Sequence, residues 1–328
     1  MTTRAVPITE TGIAASMPPC LRITDYDAQQ GWGGGDRAAE HSRWCCEQLE
    51  AGRILVFDGI PYDFPRADLD FLLRQRQSGS SVHKNISYRP KQDALRGSVT
   101  DNKEEAERLR QIMRHFSEEI TRLLTRVLAP YAAHWTLDYA SYRPEEEQGR
   151  DLALHKRNDL LHVDAFPSRP THGGRILRCF TNINPQRARN WITTDPFPQL
   201  ADKYARRAGL EEIARHGGSA FSLLTLLKRA VGVKGAGRSA YDKFMLRFHD
   251  YLKENSGFQQ NCPKIPISFP PMTTWICYTD AVPHAVLSGQ YALEQTFIIP
   301  VRALVTPENS PLRILEKMAG QPLAVAAA

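Results

Sequence analysis

The sequence lacks a long apolar run, and it lacks cysteine pairs at metal-binding spacing. No stretch of about 18 apolar residues occurs, which excludes a membrane-spanning helix. Residues 1–20 contain one arginine and no apolar core, so we expect no signal peptide. The six cysteines form no C-x-x-C pair, which argues against a cysteine-rich zinc module. These absences favour reduced thiols in a cytoplasmic protein.

Signals for nucleotide or nucleic-acid binding are also missing. The glycine-rich stretch at residues 31–35 lacks the Gly-Lys-Ser/Thr ending of a P-loop. The net charge of +6 favours anionic partners, but it is too small to demand nucleic acid, and no nucleic-acid motif accompanies it. The composition, 42% hydrophobic and 24% charged, is that of a globular protein. We therefore predict no nucleic-acid partner.

The pattern of secondary structure along the chain predicts an α+β fold with a predominantly β core. A helix at residues 103–128 has one apolar stripe, with Asp101 as its expected cap. After it come short apolar or alternating runs bounded by Pro, Gly and Asn, as strands are. These runs lie at residues 136–143, 160–164, 175–183, 265–269, 274–279 and 291–301. Strands interrupted by helices suit a double-stranded β-helix, or jelly roll, with support helices and an insertion.

This pattern also predicts how the chain is divided. Residues 1–36 contain several breakers and are expected to form a loosely ordered N-terminal extension. Residues 37–320 are expected to form a single jelly-roll domain with a helical insertion at about 186–262. Residues 321–328 are expected to form a flexible tail. The apolar segment 219–231 inside the insertion favours a core helix over a membrane-surface role.

The segment Leu161-His162-Val163-Asp164 carries the strongest chemical signal. Side chains alternate along a strand, so His162 and Asp164 point to the same face. With His284 as a distant third ligand, they would form the two-histidine, one-carboxylate triad of non-haem Fe(II) oxygenases. His-x-Asp alone is a weak signal, for which a solvated loop pair or a capping aspartate is the better explanation; a downstream histidine in a strand-rich frame makes the two interpretations about equal. Zinc with an open fourth position is a further alternative.

Arg178 is the candidate for a cosubstrate anchor. An arginine inside the apolar run 175–181 is costly unless it is paired with an anion. That anion is either the far carboxylate of 2-oxoglutarate, which suits the guanidinium fork, or an internal acid such as Glu294. Arg302 is the alternative anchor, although Pro300 suggests that it lies beyond its strand.

Basic residues are dense near the metal motif. Lys84, Arg157 and Arg169 are the ones that we assign to an anionic substrate. A solvated basic face is the ordinary explanation of such a cluster.

Several strings together resemble the Kdo hydroxylase family, whose substrate is 3-deoxy-D-manno-oct-2-ulosonic acid. They are residues 161–170 (LHVDAFPSRP), Arg175-Ile176-Leu177-Arg178 with Phe180 and Asn182, Tyr278-Thr279-Asp280 leading to His284, residues 292–297 (ALEQTF), Lys84-Asn85-Ile86-Ser87 and residues 311–316 (PLRILE). The resemblance spans about residues 50–320 and is far more specific than His-x-Asp alone.

The resemblance implies an Fe(II)-, 2-oxoglutarate- and dioxygen-dependent hydroxylase with His162, Asp164 and His284 in the iron-ligand roles. The implied reaction is hydroxylation of carbon 3 of Kdo in the lipopolysaccharide inner core, giving Ko, succinate and carbon dioxide. The implied substrate is Kdo joined to lipid A or its precursor, at the cytoplasmic face of the inner membrane, which adds a peripheral membrane contact. Three readings compete with this one: the same chemistry on another anionic substrate, a non-catalytic metal-binding cupin-like protein, and zinc hydrolysis.

Overall fold

Two β-sheets form the centre of this computed structural model, which describes residues 19–77, 85–98, 102–217 and 238–324. The strands are β1 (Cys20–Ile23), β2 (Ile54–Phe57), β3 (Ile86–Arg89), β4 (Ala94–Arg96), β5 (Thr136–Arg143), β6 (Arg175–Asn182), β7 (Arg189–Thr193), β8 (Ile265–Phe269), β9 (Thr273–Tyr278), β10 (His284–Ser288) and β11 (Ala292–Ile299). The larger sheet has eight strands in the order β1-β2-β9-β6-β11-β5-β3-β4, and the smaller has the order β10-β7-β8. The predicted fold class, a β core of the jelly-roll type, is confirmed.

Helices lie outside the two sheets. They are α1 (Asp36–Glu50), α2 (Arg66–Leu72), α3 (Lys103–Val127), α4 (Ala129–Ala132), α5 (Phe197–Tyr204), α6 (Leu210–Gly217), α7 (Ala240–Glu254), α8 (Ser256–Asn261) and α9 (Pro311–Ala319). Short 3₁₀ turns occupy Pro90–Gln92, Leu154–Lys156, Val301–Ala303 and Pro307–Asn309. No helix in the described part of the chain is both long and apolar enough to cross a bilayer.

The outer face of the large sheet packs against α1 and α3. The apolar stripe predicted for α3 is buried along its whole length against sheet residues such as Leu177 and Phe297. Asn102, rather than Asp101, caps the helix, because its side chain accepts hydrogen bonds from the backbone amides of Glu104 and Glu105. The cap prediction was therefore one residue out, and Asp101 lies outside the described residues.

The inner face of the large sheet has an apolar half and a polar half. On β1, β2, β9 and the end of β6, side chains such as Val56, Trp275 and Phe180 face the small sheet, with Trp191 and Phe269 opposite them. The Phe269 and Trp275 rings stack with their centroids 3.9 Å apart. This aromatic packing joins the two sheets and holds β10, on which a candidate ligand lies.

The polar half of the inner face lies on β3, β5, β11 and β6. Register places Ser87, Ser141 and Glu294 opposite one another on adjacent strands, and Thr296 opposite Arg178. Because side chains alternate between faces, the polar half consists of Ser87, Arg89, Tyr139, Ser141, Arg143, Glu294, Thr296 and Arg178. This half of the face positions the candidate site.

A second apolar cluster lies between α5, α6, α7 and α9. Leu161 and Val163, which flank His162, are fully buried in it, so these helices hold the metal-motif segment from behind. Helices of the predicted insertion thus support the site directly. Segment 219–231 lies outside the described residues.

Several predicted elements differ in the structure. The segment 160–164 is not a strand: a single bridge at His162 is its only β pairing among the described residues. Strand β7 occupies the start of the stretch predicted as a helical insertion, and it pairs with both β8 and β10. Strand β1 lies in the segment predicted as loosely ordered, and its backbone pairs with β2. The division into one domain with extensions stays a prediction.

Candidate metal centre

Backbone hydrogen bonds bring His162, Asp164 and His284 together. His162 and His284 exchange amide-to-carbonyl bonds of 3.1 and 2.9 Å, so the two residues lie directly opposite each other. The Asp164 amide donates to the Thr279 carbonyl at 2.8 Å. The motif segment is therefore fixed to the chain on either side of Asp280 without being part of a regular strand.

The three side chains converge on one point. One ligand atom from each of His162, Asp164 and His284 lies within 4.8 Å of the others. Nδ1 of His162 is 2.7 Å from the Leu160 carbonyl oxygen, and Nδ1 of His284 is 2.9 Å from that of Val282. A carbonyl oxygen only accepts, so each Nδ1 carries the proton and each Nε2 keeps its lone pair. Both rings thus have the tautomer of a metal ligand.

Electrostatics keep these side chains in their metal-binding forms. Burial, with His284, Lys253 and His249 nearby, holds the pKa of His162 well below its usual value. Burial likewise lowers the pKa of His284. Burial alone would raise the pKa of Asp164, but the Arg178 guanidinium, the two histidines and the Thr279 side chain together outweigh it and hold this pKa well below the ordinary range. Two neutral imidazoles and one carboxylate result.

This donor set fits Fe(II). Two imidazole nitrogens and one carboxylate on one side of a metal form the facial triad, which leaves positions open for other ligands. The same atoms would also accept zinc, so the choice of metal depends on what surrounds them.

Aromatic rings restrict the two histidines. Trp191 stacks on the His284 ring, with centroids 5.1 Å apart and planes at 23°. His249 of α7 meets the His162 ring edge-on at 4.9 Å, and its Nδ1 donates to the Val163 carbonyl at 2.8 Å. The ligands are thus held by packing as well as by hydrogen bonds, as a preorganised metal site requires.

Arg178 lies beside the triad and contacts two carboxylates. One of its terminal nitrogens is 3.2 Å from Asp164 Oδ2 and 3.3 Å from Glu294 Oε1. The internal ion pair with Glu294 that the sequence suggested therefore exists. Arg178 Nε is buried and has no hydrogen-bond partner. A mostly buried guanidinium with an unused donor beside the metal ligands also retains the capacity to bind an anion.

Arg143 enters this region from β5, and sequence reasoning missed it. Its guanidinium bonds to Glu294 and lies 3.8 Å from Glu147, a buried carboxylate that also faces Arg189 at 3.5 Å. Burial alone would lower the pKa of Arg143, but Glu294 and Glu147 outweigh it and raise that pKa. The sequence gives no sign of this network, because only the register of β5 and β11 brings its members together.

The structure places the remaining predicted site residues as follows. Arg169 donates to Asp138 at 2.9 Å and stacks over Phe166 beside the triad. Arg157 is paired with Asp159 at 2.6 Å. Arg302 lies exposed on the turn Val301–Ala303, past the end of β11, as Pro300 suggested. Lys84 lies outside the described residues.

Comparisons with known proteins agree with this geometry. A family model for 3-deoxy-D-manno-oct-2-ulosonic acid (Kdo) hydroxylase matches residues 34–322. Solved structures of the Kdo hydroxylase KdoO, a non-haem Fe(II) α-ketoglutarate dependent dioxygenase, are 32% identical to this chain. They cover 94% of this chain and 99% of their own. The TM-score is 0.78 for the complex with α-ketoglutarate and Fe(III), 0.78 for that with cobalt(II), and 0.77 for that with succinate and Fe(III). No curated protein sequence matches the chain.

Proposed function

The chain belongs to the Kdo hydroxylase family, and from this premise we propose that it hydroxylates carbon 3 of Kdo joined to lipid A or its precursor. The chain is a non-haem Fe(II)- and 2-oxoglutarate-dependent dioxygenase that acts on a Kdo-containing substrate. The finer proposal adds the lipid-linked acceptor and the product Ko. The observation that carries the iron-dependent hydroxylation is the convergence of His162, Asp164 and His284 within 4.8 Å.

His162, Asp164 and His284 would hold the iron in this proposal. Bound Fe(II) with 2-oxoglutarate supplies the oxidation of a carbon–hydrogen bond by dioxygen, with succinate and carbon dioxide as co-products. The protein's part is to fix the ligands, orient the two substrates and exclude water. The paired backbone bonds of His162 and His284 fix the ligands, and the carboxylate of Asp164 supplies the one negative charge.

Arg178 is the proposed anchor for the far carboxylate of 2-oxoglutarate. Its unused Nε and its position beside Asp164 support this role. Glu294 holds the guanidinium in place from the other side, at 3.3 Å. Replacement by alanine should raise the KM for 2-oxoglutarate much more than the KM for the sugar substrate. An effect on the sugar KM alone would assign Arg178 to the substrate instead.

The anionic groups of the acceptor would meet basic side chains near the site. Of the residues proposed for this role, Arg169 contacts the ring of Phe166, two residues after Asp164. Lys84 and Arg157 stay proposals on sequence grounds. A substrate attached to lipid A would require the enzyme to act at the cytoplasmic face of the inner membrane, through a peripheral contact.

Product analysis tests this function. The protein would be incubated in air with Fe(II), 2-oxoglutarate and either Kdo-bearing lipid A precursor or free Kdo. We expect the lipid-linked substrate to gain one oxygen atom at carbon 3, only when 2-oxoglutarate is present. Oxygenation of a different anionic substrate alone, or metal binding without succinate formation, would contradict the proposal.

A further inference from the structure

The polar half of the inner face carries a basic residue, Arg89, that forms no ion pair with Asp164 of the metal triad or with Glu294 beside it. Arg89, at the end of β3, lies one position after Tyr88, which pairs with Ala140 of β5. Arg89 and Tyr139 therefore project from the face opposite to that of the buried Tyr88 and Ala140. Both side chains are partly exposed, so this end of the face is accessible.

Cations and aromatic rings alternate from Arg89 to the metal ligands. The Arg89 guanidinium lies 5.2 Å from the Tyr139 ring centre, and that of Arg169 lies 4.1 Å from the same centre. Arg169 is also 4.5 Å from the Phe166 ring, over which Arg178 lies at 5.6 Å. These contacts form a continuous lining between the sheet edge and the triad.

The charges along this lining do not balance at Arg89. Arg169 is paired with Asp138 at 2.9 Å, and Arg178 is paired with Asp164 and Glu294. Among the described residues, no carboxylate lies within ion-pair distance of Arg89, and its buried Nε has no hydrogen-bond partner. The guanidinium groups of Arg89 and Arg169 thus both contact the Tyr139 ring, but only Arg169 is paired with a carboxylate. An added anion would stabilise this arrangement.

A β-bulge fixes this geometry. The register between β5 and β11 shifts between Gln295 and Phe297, so Asp138 and Tyr139 both lie opposite the residue between them. The shift lets the Asp138 carboxylate and the Tyr139 ring both contact Arg169. Bulges beside active sites commonly re-aim side chains in this way.

Arg89 and Arg178 lie at opposite ends of this lining, with Tyr139, Arg169 and Phe166 between them. Strands β3, β5, β11 and β6 are consecutive neighbours, and strands lie about 4.8 Å apart, so the backbones of Arg89 and Arg178 are separated by about 14 Å. A group bound at Arg89 would therefore belong to a substrate that extends well beyond the cosubstrate.

We propose that Arg89, with Arg169 stacked on the same Tyr139 ring, binds an oxyanion of the substrate remote from the sugar that is oxidised. The oxyanion is a phosphate of the lipid part or the carboxylate of a second sugar acid. This inference rests on the proposed function, because it assumes an acceptor larger than one sugar. It adds a residue that selects the extended glycolipid over the free sugar.

The test compares Arg89→Gln with wild type on three substrates. They are Kdo-bearing lipid A precursor, the same glycolipid after removal of its phosphates, and the methyl glycoside of Kdo. Arg108→Gln is the matched control, since Arg108 also lies over a ring, that of Phe71 at 4.5 Å, on the outer helix α3. Affinity is measured by calorimetry without dioxygen, and KM and kcat are measured in air.

We expect Arg89→Gln to weaken binding of the glycolipid and raise its KM by about tenfold, the loss of one charge-assisted hydrogen bond. The change for the methyl glycoside should be at least several-fold smaller. Arg89→Lys should recover part of the affinity, and Arg108→Gln should match wild type. If the loss of affinity caused by Arg89→Gln disappears once the phosphates are removed from the glycolipid, the bound group is a phosphate. If that loss persists, the bound group is a carboxylate.

Equal penalties on the glycolipid and the methyl glycoside, or none on either, would overturn the inference. The proposed function fails separately. If wild type binds the glycolipid through Arg89 but never oxygenates it, the subsite stands and the reaction does not. If wild type oxygenates the glycolipid and Arg89→Gln does so equally well, the reaction stands and the subsite does not.

Discussion

Replacement of Asp164 by asparagine should remove most of the stability that a bound metal ion gives to the protein. The amide keeps the shape of the carboxylate but loses its charge, so one of three ligand atoms becomes a weak donor. The side chain is 12% exposed, and Arg178 lies 3.2 Å away. Arg178 would then lose one of its two carboxylate partners, and its positive charge beside the ligands would further weaken cation binding.

The expected size follows from linkage between binding and unfolding. At a metal concentration 100 times its Kd, wild type gains about 2.7 kcal/mol of unfolding free energy. A hundredfold weaker Asp164→Asn variant gains about 0.4 kcal/mol at the same concentration. For a chain of 328 residues, the unfolding entropy is about 0.7 kcal/mol/K, so 1 kcal/mol corresponds to about 1.5 °C in Tm. Wild type should therefore shift by about 4 °C and the variant by about 0.6 °C.

Thermal unfolding with and without cobalt(II) measures these shifts without dioxygen chemistry. Asp138→Asn is the matched control, since Asp138 is also paired with an arginine and its side chain is 11% exposed. The control should keep the full metal-induced shift relative to its own metal-free Tm. A folded Asp164→Asn protein with the wild-type shift would refute the assignment of Asp164 as a ligand.

Three further predictions concern stability and reactivity. Burial lowers the pKa of Lys253 from 10.5 to about 8. Between these two pH values the unfolded chain binds one more proton than the folded chain. The stability of wild type should therefore rise with pH over this range, by about 3 kcal/mol relative to Lys253→Met. Urea unfolding of both proteins at pH 8 and 10.5 checks this, and parallel pH profiles would contradict it. Trp191→Ala should lower the free energy of unfolding by about 3–5 kcal/mol and weaken metal binding, because Trp191 is buried and stacks on His284. Trp191→Phe should lower it less. Equal losses of stability for the two variants in urea unfolding would contradict the stacking argument. Of the six thiols, only Cys262 is partly exposed, so native protein should react with a thiol reagent at one site, and rapid reaction of several cysteines would show a looser core.

Elements with strong local patterns were predictable from the sequence. The strands at residues 136–143 and 265–269 have the predicted bounds, and the stripe of α3 is buried as its spacing indicates. These segments succeed because one periodicity runs through their whole length. Strands β1, β3 and β4 have three or four residues each, too few for an alternating pattern to be distinguished from a loop.

The convergence of the triad was predictable, but the surroundings of the site were not. His162 and Asp164 do point to a common site, although a single bridge and the Thr279 carbonyl hold them rather than a regular strand. Arg89 and Arg143 gave no signal, because their neighbours come from strands far away in the sequence. Only sheet register and the bulge in β5 determine those contacts.

Oxygen labelling of the product shows whether the new hydroxyl comes from dioxygen, as the proposed hydroxylation requires. Wild type would be incubated with Fe(II), 2-oxoglutarate and Kdo-bearing lipid A precursor under heavy-oxygen dioxygen in ordinary water. We expect one heavy oxygen atom at carbon 3 of Kdo, one succinate for each product molecule, and no product from Asp164→Asn. An unlabelled hydroxyl, or a product formed equally well by Asp164→Asn, would contradict the proposed hydroxylation.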